Sequence, residues 1–191
     1  VTRGSRAKVL IVDDRRENLV ALVAILQGLP VEPVTVTSGE DALKQLLSDD
    51  FAVILLDAQM PGMDGFEAAS HIKQRKRTQH LPIIFLTAAD RDAHLAFRGY
   101  AAGAVDYITK PFDPWVLRAK VSVFVELWAK NDQLREQAES ARLREAEHAS
   151  VMAAAARAGE LLRGALEADG DPELLRKAAR EAVDLLEGAL P

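Results

Sequence analysis

The run Phe51-Ala-Val-Ile-Leu-Leu-Asp57 constrains this chain more than any other stretch, because apolar residues without polar alternation stop abruptly at a carboxylate. A short Val, Ile and Leu run of that kind suits a strand buried on both faces, the habit of parallel sheets. Such a sheet needs helices over both faces, so strands and helices must alternate along the chain. Asp57 then sits at a strand's carboxyl end. After it, Pro61-Gly62 marks a loop, and Asp64 followed by Glu67 reads as a capped helix start. The bland account of Asp57 is a loop acid that merely follows a strand, and the rest of the chain has to decide against it.

The same unit recurs. Lys8-Val-Leu-Ile-Val12 ends in Asp13-Asp14, after which Leu19, Leu22, Val23, Ile25 and Leu26 return at helical spacing as far as Gly28. Glu32 to Val36 is a shorter strand, and Ser38 with Asp41 opens a helix expected to turn Ala42, Leu43, Leu46 and Leu47 inward. Ala52 to Leu56 leads to a helix from about Asp64 to Arg75. Pro82 to Leu86 leads through Thr87 to a helix near Asp90 to Ala101, closed by Gly103, and Val105 to Ile108 ends at Thr109-Lys110-Pro111. Five strands alternating with helices predict a doubly wound parallel α/β domain, complete by about residue 126. Ligands of such sheets bind outside the carboxyl ends of the strands, which gathers Asp13, Asp14, Asp57, Thr87 and Lys110 at one edge.

Composition narrows the chemistry. The 191 residues include no cysteine, which removes disulfides and thiolate metal sites and fits a reducing cytoplasm. Apolar runs such as Leu81 to Leu86 are far too short to span a bilayer, and Val9 to Val12 runs into Asp13-Asp14 rather than a cleavage site. A soluble, cytoplasmic chain with no membrane partner is expected. With 29 acids against 24 bases and a net charge of -5, there is no broad electrostatic footprint for nucleic acid. Lys73-Gln-Arg-Lys-Arg77 is a local exception; such clusters mostly complement the dipole of a helix end, and a docking patch for an acidic partner is their rarer use. His71, His80, His94 and His148 lack metal-ligand spacing, and the surroundings Glu147-His148-Ala149-Ser150 are not a kinase phosphohistidine motif.

Singly, each strand-end residue has a plain structural use: Asp14 with Glu17, or Thr87, could cap a helix, and Lys110 could be an exposed strand end. Together they cannot be explained that way. Carboxylates about 4 Å apart, at an effective dielectric of about 20, repel by roughly 4 kcal/mol per pair, so a cation must compensate. Carboxylate, carbonyl and water oxygens suit a hard divalent ion, and Mg2+ is the usual occupant of a site with few protein ligands. Such a site supports phosphoryl transfer to a carboxylate, with Asp57 as nucleophile, Lys110 and Mg2+ neutralising charge on the phosphoryl oxygens, and Thr87 donating a hydrogen bond.

Asp13-Asp14, Asp57-Ala-Gln-Met-Pro-Gly-Met-Asp-Gly65, Leu86-Thr87-Ala88 and Tyr107-Ile-Thr-Lys110-Pro111-Phe112 together closely resemble the receiver domain of two-component response regulators, over about residues 6 to 126. The resemblance implies a flavodoxin-like strand order 2-1-3-4-5. It implies a phosphoryl group accepted by Asp57 from a histidine kinase or phosphotransfer protein, in a signalling phosphoacceptor rather than an enzyme. It also implies Mg2+ held directly by Asp14, partly through water by Asp13, and by Asp57 and the backbone carbonyl of Gln59. Lys110 would pair with the phosphoryl group beside a cis Lys110-Pro111 bond. Thr87 and Tyr107 match the two switch positions, Ala88 leaves room for the phosphoryl group, and Gln59 and Ala89 occupy positions that tune hydrolysis. Arg16 stands where relatives often carry proline, which adds positive charge beside the site and bears on kinase docking. Haloacid-dehalogenase-like phosphatases also use a strand-end Asp, Mg2+, Thr and Lys, but carry a second Asp two positions after the nucleophile, where this chain has Gln59.

The remaining third is helical. Asp113-Pro114 is a cap with proline at the first helical position, and neither Gly nor Pro occurs from Trp115 to Ala158. A helix of that length reaches on the order of 65 Å, too long to lie wholly on its own domain. Leu117, Phe124, Leu127, Leu134, Ala138 and Ala141, with Asn131 among them, fit the seam of a two-stranded coiled coil. Val151, Ala155, Ala158, Leu162 and Leu166 extend an apolar stripe to the turn Asp169-Gly170-Asp171-Pro172, and Leu174, Leu175, Ala178, Ala182, Leu185 and Leu186 line a last helix near 172–189. Residues 127–191 therefore predict an all-α extension, a long helix plus a helical hairpin, too thin to be stable alone and expected to form a homodimer. A fragment of a longer hybrid kinase or regulator with a further output domain would read the same way.

Overall fold

Five strands, β1 (Ala7–Val12), β2 (Val31–Val36), β3 (Val53–Asp57), β4 (Ile83–Ala88) and β5 (Asp106–Lys110), form one parallel sheet in the order β2-β1-β3-β4-β5. The computed structural model describes residues 6–88, 106–167 and 172–189, so the helix predicted near Asp90 to Ala101, with Ala89, His94 and Gly103, lies outside the described residues. Helices α1 (Arg16–Leu26), α2 (Gly39–Ser48), α3 (Gly65–Gln74), α4 (Pro114–Glu167) and α5 (Pro172–Glu187) complete the described elements.

The absence of polar alternation in β1 and β3 has a direct cause. Val9, Ile11, Val53 and Leu55 face a core formed with α1 and the start of α4, whereas Leu10, Val12, Ile54 and Leu56 face a second core formed with α2 and α3. All eight are fully buried, so Val9 to Val12 and Val53 to Leu56 are apolar at every position. Phe66 and Phe85 stack at a tilt in the second core, with ring centroids 4.7 Å apart.

Helix starts follow the side chains that serve them. Ser38 Oγ accepts from the Asp41 amide at 3.1 Å, and an Asp64 carboxylate oxygen accepts from the Glu67 amide at 2.8 Å. Asp113 accepts from the Trp115 amide at 2.7 Å, opening α4. Asp14 is not the cap of α1: the cap position is Arg15, whose own side chain makes no capping hydrogen bond.

Two expectations about facing are corrected. Leu47 is 61% exposed, because α2 turns Ala42 and Leu46 to the core and Leu47 falls outside that stripe. Leu117 is fully buried in the first core with Val121 and Val125, with Phe124 packed against it, so the start of α4 is sheet cover rather than coiled-coil seam. In the basic cluster, Lys73 donates to the Gln79 and Leu81 carbonyls at 3.0 and 2.7 Å, and Arg77 to the Leu47 carbonyl at 2.8 Å. Burial lowers the Lys73 pKa. These cations fasten the end of α3 instead of forming a free patch.

The chain divides into two compact units, Val1–Asn131 and Asp132–Pro191. Among the described residues of the second, Ala154, Ala158 and Ala165 of α4 and Ala178 and Ala182 of α5 are the buried ones. The predicted stripe is rotated by a residue: Ala154 and Ala165 are inside, while Leu162 and Leu166 are 37% and 66% exposed. Helices that meet on alanine leave the adjacent leucines on the flanks. Among the described residues, no helix is long and apolar enough to cross a membrane.

Candidate functional site

The sheet order brings the ends of β1, β3 and β5 to one edge, with β3 central between β1 and β4. Asp13 follows β1, Asp57 is the last residue of β3, and Lys110 is the last residue of β5. Register carries β4 and β5 further than their apolar runs: Asp57 pairs with Leu86, Thr87 with Thr109, and Ala88 with Lys110. Thr87 is therefore held inside β4, one position beyond the level of Asp57.

Lys110 Nζ donates to Asp13 Oδ2 at 2.8 Å and to Asp57 Oδ2 at 3.0 Å, tying two strand ends together. Asp13 is fully buried and Asp57 is 6% exposed. Asp14 is exposed, yet one carboxylate oxygen from each of Asp13, Asp14 and Asp57 lies within 4.8 Å of the others. The Lys110-Pro111 peptide bond is cis.

Asp13 is saturated by the protein. Beyond Lys110, its Oδ1 accepts from the Arg15 amide at 3.0 Å, and Asn18 Nδ2 donates to Oδ1 at 2.8 Å and to Oδ2 at 3.0 Å. Asp57 is held more lightly: Oδ2 has Lys110, and Oδ1 has only a long 3.4 Å contact from the Gln59 amide. Burial is the largest influence on the Asp57 pKa and raises it, Lys110 opposes the rise, the Asp13 charge adds to it, and the net shift is upward. Burial by itself lowers the Lys110 pKa, but bonding to Asp13 and Asp57 more than offsets this, and the ammonium ends above its ordinary range. One ammonium thus faces three carboxylates, and the pocket keeps an excess of negative charge with oxygen donors at its mouth. That donor set suits a hard divalent cation.

Gly65 fixes the loop over this pocket. Its amide donates to the Ala58 carbonyl at 3.1 Å, and a Cβ at this position would stand 2.1 Å from the Asp57 carbonyl oxygen. Only glycine lets the start of α3 approach the strand end so closely. Gly62, with φ +78, supplies the left-handed turn between them.

Sequence comparison decides the family: the profile of the response regulator receiver domain matches residues 9–122. The chain belongs to the response regulator receiver family. It is the receiver domain of a two-component response regulator followed by helices. Response regulator PleD of Caulobacter vibrioides is 36% identical over 136 residues, which cover 71% of this chain and 30% of PleD. Receiver structures superpose on the same part. Chemotaxis protein CheY4 of Vibrio cholerae gives a TM-score of 0.59 at 31% identity, covering 63% of this chain and 99% of that one. DrrB of Thermotoga maritima gives 0.56 at 35% identity, covering 63% of this chain and 52% of that one. The receiver therefore spans under a third of the curated relative PleD.

Two features of this receiver site escaped the sequence. Asn18 stands five residues after Asp13, and only the return of α1 over β1 brings its amide onto the carboxylate. Gly65 sits in a motif already noted for its order, but its steric role needs the coordinates. Tyr107, at the second position assigned by resemblance, has its side chain 43% exposed. Its amide donates to Asp106 Oδ1 at 2.8 Å, and Asp106 Oδ2 accepts from the Lys120 ammonium of α4.

Proposed function

We propose that this chain is a Mg2+-dependent phosphoacceptor in which residues 1–126 receive a phosphoryl group on Asp57 and residues 127–191 form a dimeric helical output. The observation that carries the proposal is Lys110 Nζ bridging the buried carboxylates of Asp13 and Asp57, with Asp14 beside them. Asp57 Oδ1, the more lightly held oxygen, attacks phosphorus in a phosphohistidine of a histidine kinase or phosphotransfer protein. The P–N bond breaks, its electron pair stays on the imidazole, and an aspartyl phosphate forms. Asp14, Asp57 and the Gln59 carbonyl would hold Mg2+, with Asp13 behind them and already saturated by Asn18 and Lys110. When bound, that ion neutralises charge on the transferring phosphoryl oxygens. Lys110 stabilises the same charge from the β5 side, and the Thr87 hydroxyl donates to a phosphoryl oxygen.

The new phosphoryl group brings about -1.5 to -2 charges. Charge-assisted bonds to it are worth roughly 1.5–3 kcal/mol each, and about 5.5 kcal/mol moves a two-state domain from 1:99 to 99:1. Bonds from Lys110, Thr87 and nearby amides that form only in the active state are therefore enough for a switch. Tyr107 reports the switch by turning its exposed ring inward. The reading places the chain in the cytoplasm as a signalling protein rather than an enzyme with a substrate of its own.

Incubation with Mg2+ and a small phosphodonor, followed by intact mass analysis, tests the site. One phosphoryl group per chain is expected in the parent and none in Asp57→Asn. Equal, persistent labelling of that variant would refute the assignment.

A further inference from the structure

The second unit presents a groove along its hairpin that the receiver chemistry does not use. It is about 630 Å³ in volume, and its lining includes the buried Ala165 and Ala178 together with Leu161, Gly164, Leu174 and Leu185. Leu161 and Leu174 are 36% and 46% exposed, although this unit's buried residues are alanines. A two-helix layer that meets on alanine buries little apolar area and needs a second layer to be stable.

The groove is edged by two basic and two acidic residues, Arg157 and Glu160 on α4 and Lys177 and Glu181 on α5. No ion pair joins any of them to a described residue. A balanced edge of this kind does not select a partner of one sign. It is self-complementary instead. Arg157 lies as far before the end of α4 at Glu167 as Glu181 lies after the start of α5 at Pro172, to within one residue, and Glu160 and Lys177 match to within two. At 1.5 Å rise per residue these offsets are small against a long side chain's reach. A two-fold axis running along the hairpin lays α4 of one copy over α5 of the other at the same level. Arg157 then meets Glu181 of the second copy, Glu160 meets its Lys177, and symmetry repeats both pairs.

Resting on the dimeric output proposed above, we propose that this groove is the dimer seat: a second copy of the chain fills it, giving a four-helix bundle whose register is set by the Arg157–Glu181 and Glu160–Lys177 pairs. Leu161, Leu174 and Leu185 become the bundle's core, and the charges form its rim. The arrangement is isologous, so a charge reversal on one helix is answered by the opposite reversal on the other helix of the partner.

The test uses the full chain with Arg157→Glu and Glu181→Arg, alone and mixed. Light scattering and native mass spectrometry read the oligomeric state, and circular dichroism confirms unchanged helix content in each variant. The parent is expected to be a dimer at micromolar concentration. Each single variant turns two attractive contacts into repulsive ones and should dimerise about tenfold more weakly or worse. Mixing the two variants should form a heterodimer in preference to either homodimer. In it the reversed charge at position 157 of one copy faces the reversed charge at position 181 of the other, and the unaltered Arg157 and Glu181 still face each other. A parent that is a dimer, with single variants dimerising equally well and no heterodimer preference, overturns this seat while leaving a dimeric output standing. A parent that stays monomeric overturns both and leaves the groove to a different partner. Phosphorylation of Asp57 is read separately by mass and does not depend on either result.

Discussion

Asp13 is a fully buried carboxylate with four bonds to the protein, and Asn18 makes two of them. Replacing Asn18 with Ala removes both and leaves part of a buried charge without a partner, a loss of roughly 1–3 kcal/mol. Chemical denaturation should read that loss, and the rate of phosphorylation by a small donor should fall with it as Asp13 and Lys110 lose their alignment. Gly65 makes a sharper case, because the obstacle to a side chain is backbone: Gly65→Ala sets a methyl group against the Asp57 carbonyl. The strand end or the start of α3 must move, at a cost of about 1–3 kcal/mol or more. Phosphorylation of this variant should fall beyond what its stability loss explains, measured well below its unfolding midpoint. A Gly65→Ala variant as stable and reactive as the parent would mean that the loop is not held as described.

The element shared by the two units is α4. Its first turns are fastened in three ways: Leu117, Val121 and Val125 enter the core, Lys120 bonds Asp106 beside Tyr107, and Arg118 bonds the end of α1. Arg118 Nε donates to the Ile25 carbonyl at 2.5 Å and the guanidinium also reaches the Gln27 carbonyl. A cation at carbonyls ending a helix gains from both hydrogen bonds and the helix dipole. Discounted for partial exposure, Arg118→Ala should cost the receiver about 1–2 kcal/mol, readable as a lower denaturant midpoint without a change of slope. Further along, α4 passes Gly159 and Gly164 unbroken. A Cβ at Gly159 meets nothing within 4 Å, so Gly159→Ala should stabilise the helix by roughly 0.5–1 kcal/mol. A rise in the thermal midpoint of the helical signal checks this.

For the whole molecule, three clustered carboxylates against one ammonium predict a stability that rises with a bound divalent cation. A ligand at about 100 times its Kd stabilises the state that binds it by roughly 2.7 kcal/mol. Saturating Mg2+ should therefore raise the receiver's thermal midpoint by several degrees, and chelation should reverse it. Asp14→Ala should abolish most of that shift and raise the metal-free midpoint, because it removes one of three mutually repelling carboxylates and, among the described residues, breaks no hydrogen bond.

What the linear chain determined is the part governed by local periodicity and by the order of strand-end residues. Val53 to Leu56 is apolar at every position because both faces of β3 are covered, and that pattern is visible without coordinates. From it follow the parallel sheet and the gathering of Asp13, Asp57 and Lys110 at one edge. The facing of the helices was legible only where one stripe dominates. In α4 the apolar residues are spread around the helix, so heptad spacing read Leu117 as coiled-coil seam, whereas tertiary packing placed it in the receiver core. The hairpin kept Ala158, Ala178 and Ala182 inside as the stripes predicted, but it also turned Ala154 and Ala165 inward and left Leu162 and Leu166 on the flanks, a facing that periodicity alone does not fix. Asn18 and Gly65 lay beyond any local pattern. Their roles exist only in the distance between segments, which the folded sheet sets and the order of residues does not.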